Sequence, residues 1–86
     1  MMNGEAMLEL YKKDSCPFCQ YVMYFIKDQG RTDIVMRDIV EDEANRLRLI
    51  EVGGKQQVPC LFIDGNPLYE SRDIVAWLAA HDESSL

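Results

Sequence analysis

The chain has 86 residues, 48% of them hydrophobic, and 15 Asp and Glu against nine Lys and Arg give a net charge of −6. That length suits a single domain over residues 1–86 with one modest core, and the acidic balance argues against nucleic acid or an anionic membrane as partner. Three cysteines are too few, and odd in number, for a secreted disulfide scaffold. With no basic leader and no apolar run near the roughly 20 residues that span a bilayer, the expected compartment is the cytoplasm.

Residues 1–5 carry no periodic signal and read as a short flexible lead. Leu8 and Leu10 alternate around Glu9, which predicts a first strand over residues 7–11 with Glu9 solvated. Pro17 suits a first helical turn, and Phe18, Tyr21, Val22, Phe25 and Ile26 recur at helical spacing. A helix with a wide apolar stripe follows from that pattern, and Gly30 stops it. Ile34, Val35, Met36 and Ile39 are too apolar for a solvated edge and predict an interior strand covered on both faces. Glu41, Asp42 and Glu43 then place acids at the positive end of a second helix through Ala44, Leu47 and Ile50, which Gly53 and Gly54 end.

Residues 58–63 form an apolar run interrupted by Pro59, and Asp64-Gly65-Asn66-Pro67 is dense in turn formers, so a hairpin into Leu68 and Tyr69 is expected. Ser71 can cap a last helix that carries Asp73 in its first turn and Ile74, Trp77 and Leu78 on one face. Trp77, Met23, Tyr24 and Met36 read as packing residues, and His81 as solvated. The order βαβαββα gives an α/β fold: a four-stranded mixed sheet with three helices, its first two strands parallel through a right-handed crossover and its last two antiparallel.

The first strand leads directly into Cys16-Pro17-Phe18-Cys19. A cysteine pair two residues apart at the start of a helix, after the first strand of a βαβ unit, is the setting of a thiol redox site. Free amides and the helix dipole favour a thiolate on Cys16; Lys13 adds a favourable charge and Asp14 an opposing one. Cys19, one turn further on, can return to Cys16 across the turn. The pair therefore reads as attacking thiolate and resolving thiol. Cys16, Cys19, Cys60 and His81 also make up a Cys₃His zinc set in number, but the second half lacks the paired ligand spacing of a zinc site, so no metal is expected. Cys60 reads as the small apolar filler of a buried strand, with a third redox thiol as the alternative.

Three segments in this order, Cys16-Pro17-Phe18-Cys19 with Lys13 upstream, Gln57-Val58-Pro59, and Leu68-Tyr69-Glu70-Ser71-Arg72-Asp73-Ile74, resemble the glutaredoxins over nearly the whole chain. The last segment lacks the double glycine of dithiol glutaredoxins. With Val58-Pro59 it is closer to the N-terminal domain of glutathione transferases and to the two-domain glutaredoxin related to them. The resemblance implies a thioredoxin-like fold, glutathione as reductant and partner, and a cis bond between Val58 and Pro59. It also implies that the Val58 backbone pairs with the cysteinyl backbone of the tripeptide. The glutamyl end would be held at the start of the last helix, by Glu70 and Ser71 on the transferase pattern or by Asp73 on the glutaredoxin pattern. Lys13 and Lys55 are the candidates for the glycyl carboxylate, and Phe18, a Tyr in many relatives, supplies an aromatic wall.

The expected activity is a glutathione-dependent thiol–disulfide oxidoreductase, a monomer acting on glutathione mixed disulfides and protein disulfides. Alternatives are an electron donor recharged by a thioredoxin reductase, and a non-catalytic zinc- or glutathione-binding module. At 86 residues no helical domain is expected to follow, which favours redox exchange over conjugation.

Overall fold

Alternation within β1 (Leu8–Lys12) sets the layering: Leu8 and Leu10 point to one face of the sheet, Glu9 and Tyr11 to the other, and all four are buried. The computed structural model describes residues 6–83; the lead expected over residues 1–5 lies outside them. After β1 come α1 (Pro17–Asp28), β2 (Ile34–Asp38), α2 (Glu43–Gly53), β3 (Cys60–Ile63), β4 (Asn66–Tyr69) and α3 (Ser71–Ala80). The sheet order is β2-β1-β3-β4, with β1 parallel to β2 and antiparallel to β3, and β3 antiparallel to β4. This is the expected βαβαββα arrangement and the thioredoxin-like fold. Among the described residues no helix is long and apolar enough to cross a membrane.

Two cores result. On one face Leu8, Leu10 and Leu61 meet Val22 and Ile26 of α1 and Ile74 and Leu78 of α3; on the other Tyr11, Cys60 and Phe62 meet Ile39 and Leu49 of α2. Complete burial of each such Leu or Ile contributes about 2 kcal/mol. Asp42 caps α2 by accepting from the Ala44 amide at 2.9 Å, and Gly54, at φ +85°, closes it with a hydrogen bond to the Ile50 carbonyl. The β3–β4 turn needs only Asp64 and Gly65, both at positive φ; Asn66 and Pro67 already belong to β4, an edge strand that tolerates proline.

Several expectations are corrected. β2 is an edge strand, not an interior one, because β3 takes the far side of β1. The α1–α3 core reaches it only at Ile34, so Val35 and Met36 remain 41% and 42% exposed. Glu9 is not solvated: at 3% exposure its carboxylate accepts from Arg37 Nε and Nη2 at 3.0 and 2.8 Å and from Arg48 Nη1 at 3.0 Å. The buried stripe of α1 is Cys19, Val22 and Ile26, while Phe18, Tyr21 and Tyr24 are exposed, so Tyr24 does not pack. Ser71 starts α3 as its first helical residue; the cap position belongs to Glu70, at φ +71° and without a side-chain cap.

Candidate active site

The loop from β1 to α1 is pinned before it reaches the thiols. Lys12 Nζ bridges Asp14 at 2.6 Å and Asp38 at 3.2 Å, and Gln20 Nε2 donates to the Asp14 carbonyl at 2.7 Å. The Asp14 carboxylate, expected to oppose a thiolate, is thereby answered by Lys12. Cys16 occupies the N-cap of α1, where its sulfur accepts from the Cys19 amide at 3.4 Å, the cap geometry in which sulfur replaces the usual side-chain oxygen. Burial works against ionisation of Cys16. The Cys19 amide and thiol, the Phe18 amide and the Lys13 ammonium outweigh it and hold the thiol below its usual value. Cys19, fully buried, goes the other way: burial, together with its hydrogen bond to Cys16 and that neighbour's charge, pushes it up to about 12. One partly exposed thiol is thus activated and its neighbour is kept protonated.

The Cys16 thiol faces the Val58 carbonyl, 3.8 Å away, and the Val58–Pro59 bond is cis. Phe18, Gln57, Val58, Pro59, Glu70, Ser71 and Arg72 line a groove of about 420 Å³ beside it, a volume suited to a small-molecule ligand. The groove therefore draws its walls from the start of α1, the loop before β3 and the start of α3. Of the residues picked out in the sequence, Phe18, Val58, Pro59, Glu70 and Ser71 meet here. Asp73 lines a neighbouring hollow with Glu70, Arg72 and Ala76. Lys13 acts on the thiols, and the Lys55 ammonium lies over the Tyr69 ring at 4.6 Å. Neither lysine lines the groove. Cys60 is completely buried and its thiol is pushed up to about 11 by burial. Among the described residues no group of three or more His, Cys, Asp and Glu is placed to hold a metal ion.

A family model for glutaredoxin matches residues 8–68, from the first residue of β1 into β4. The chain belongs to the glutaredoxin family. A search of curated proteins found no match. Among solved structures, the thioredoxin-like protein BC3987 superposes with a TM-score of 0.70 at 26% identity, covering 83% of this chain and 97% of that one. Glutaredoxin C1 from Populus tremula x tremuloides, in its holo form, gives 0.64 at 22% identity over 92% of this chain and 79% of that one. A delta-class glutathione transferase from Nilaparvata lugens gives 0.70 at 27% identity over 90% of this chain but 38% of its own. Family and fold together make this glutaredoxin a thiol–disulfide oxidoreductase.

Sequence reasoning quoted Gln57 and Arg72 only as parts of motifs, yet both line the groove. Gln57 Nε2 donates to Glu70 Oε1 at 3.2 Å, joining the loop before β3 to the start of α3. Arg72 did leave a signal: a cation in the first turn of a helix opposes the dipole, which favours acids there. A residue at odds with its local electrostatics points to a role beyond the helix.

Proposed function

We propose that this glutaredoxin reduces glutathione mixed disulfides through Cys16, with glutathione as the reductant and glutathionylated proteins as substrates. The observation that carries the reading is the activated Cys16 thiol 3.8 Å from the carbonyl of Val58, a residue that walls a groove together with Pro59, Glu70 and Ser71. In this reading the Val58 backbone pairs with the cysteinyl backbone of the tripeptide and Phe18 covers its apolar side. The glutamyl carboxylate meets the free amides of α3 and Ser71, with Arg72 beside them, and the glutamyl ammonium meets Glu70, whose carboxylate Gln57 already orients. Glu70 and Ser71 are favoured over Asp73 for this end because they line the same groove as Val58. Lys13 serves the thiolate.

The chemistry is thiol–disulfide exchange. The Cys16 thiolate attacks the glutathionyl sulfur, a new S–S bond forms there, and the substrate leaves as a thiolate that takes a proton from water. A glutathione thiolate then attacks the mixed disulfide, releases oxidised glutathione and restores the Cys16 thiolate. Cys19 can displace the glutathione instead, giving a Cys16–Cys19 disulfide, but it must first lose a proton from a thiol whose ionisation burial opposes. Reduction of a glutathione mixed disulfide therefore needs Cys16 alone, while reduction of a protein disulfide can use both thiols. The test is turnover of a small glutathione mixed disulfide by glutathione, coupled to glutathione reductase. Cys16→Ser abolishes it, and Cys19→Ser retains it. Turnover that survives Cys16→Ser, or wild-type protein recharged only by a thioredoxin reductase, refutes the reading.

A further inference from the structure

The loop that delivers Gln57, Val58 and Pro59 to the groove begins at Gly53, the last residue of α2, and a residue outside the groove holds it. Tyr69, the last residue of β4, shares its single hydroxyl hydrogen between the Gly53 carbonyl at 3.0 Å and the Lys55 carbonyl at 3.2 Å. The Gly53 acceptor lies at the end of α2, where backbone carbonyls have no helical partner, and the Lys55 acceptor follows just beyond the Gly54 cap. The Lys55 side chain folds back over the Tyr69 ring, with the ammonium 4.6 Å from its centroid. The fit is close: a Cβ on Gly53 would stand 2.4 Å from the Tyr69 hydroxyl, a separation real atoms do not tolerate. The buried Cys60 is the residue paired with Tyr69 across β3 and β4, and its thiol interacts with the Tyr69 hydroxyl. The next residue along, Glu70, receives the Gln57 side chain. The loop over residues 53–58 is thus tied at both ends to consecutive residues, Tyr69 and Glu70.

We propose that the Tyr69 hydroxyl is a positioning group that sets the distance between the Val58 wall and the Glu70–Ser71 wall of the groove, and so tunes affinity for the glutathionyl group and not the reactivity of Cys16. The proposal rests on the glutathione reading above. Burial and the neighbouring Cys60 push the Tyr69 hydroxyl up to about 12, so it stays a donor throughout the working range of pH. None of the groups that lower the Cys16 thiol is on the Tyr69 clamp, which separates the two effects.

The experiment compares wild type, Tyr69→Phe, Gly53→Ala and the double variant. Turnover of a small glutathione mixed disulfide is measured, together with the pH profile of Cys16 alkylation and the backbone NMR order parameters of residues 54–58. In Tyr69→Phe the KM is expected to rise about fivefold, the loss of a hydrogen bond felt in binding, with kcat within twofold and the alkylation profile unmoved. The order parameters of the loop are expected to fall. Gly53→Ala should raise KM as well, and should cost less in the Tyr69→Phe background, where the clashing oxygen is gone. An unchanged KM in Tyr69→Phe, or a lower kcat with a shifted alkylation profile, overturns the proposal. Unmoved order parameters overturn the clamp whatever the substrate. Absence of wild-type turnover instead refutes the glutathione reading, and the proposed effect on affinity falls with it.

Discussion

Replacing Glu9 by Gln keeps the shape of the side chain and removes its charge from beneath two guanidinium groups. Glu9 lies on β1, 3% exposed, and accepts from Arg37 Nε and Nη2 and from Arg48 Nη1, all between 2.8 and 3.1 Å. Loss of the carboxylate leaves two cations facing each other across the sheet and α2. Their side chains are 35% and 43% exposed, so water takes up part of the lost interaction and the full penalty for orphaning a buried charge does not apply. The charge-assisted hydrogen bonds then set the scale, about 2 kcal/mol. For a domain this small that corresponds to a fall in Tm of about 8–16 °C.

The assay is urea unfolding of wild type and Glu9→Gln as a function of pH. Burial opposes ionisation of Glu9, but its hydrogen bonds and charge pairing with Arg37 and Arg48 prevail and hold its carboxyl below the usual 4.5. A carboxyl lowered on folding contributes stability above its unfolded value, and that stability is lost as pH falls through the folded one. The difference between the two proteins should therefore be full at pH 7, begin to shrink below about 4.5 and vanish in stronger acid. A difference under about 0.5 kcal/mol at pH 7, or one that does not shrink on acidification, refutes the reasoning.

Three further outcomes are expected. Alkylation of the reduced protein with iodoacetamide should modify Cys16 first, with a midpoint below that of an unperturbed thiol. Cys19 and Cys60, pushed up to about 12 and about 11, should stay unmodified at pH 9 in the folded protein and become reactive in urea, which mass spectrometry of peptides reads directly. Leu10→Ala, in the core shared by α1 and α3, should cost about 2–5 kcal/mol in denaturant unfolding. Gly54→Ala meets no neighbour but forces a side chain into φ +85°, and should lower stability by about 1 kcal/mol.

Local signals in the sequence carried most of the fold. Asp42, Gly54 and the Asp64-Gly65 turn are features of a few neighbouring residues, and each sits where its chemistry demands. What depended on which strands become neighbours was not legible. Ile34, Val35 and Met36 look like an interior strand in composition, but the edge position of β2 follows from the pairing of β1 with β3, a strand from the far half of the chain. Glu9 looks solvated because its partners, Arg37 and Arg48, come from β2 and α2. The candidate site divides the same way. Cys16 and Cys19 announce themselves by spacing and helix start, whereas the places of Gln57, Tyr69 and Arg72 depend on contacts between segments far apart in the chain.

The topology bears on what the cysteine motif is worth by itself. Cys16 and Cys19 belong to the first βαβ unit, but Val58, Glu70, Ser71 and Arg72 all come from the second half, and so does β3, the strand that puts β1 at the centre of the sheet. A chain cut before residue 57 would keep the dithiol and lose every groove wall except Phe18. Nucleophile and recognition are thus inherited from opposite halves of one chain, and selectivity for a disulfide can change by substitution in the second half while Cys16 and the groups that lower its thiol, Cys19, the Phe18 amide and Lys13, stay as they are.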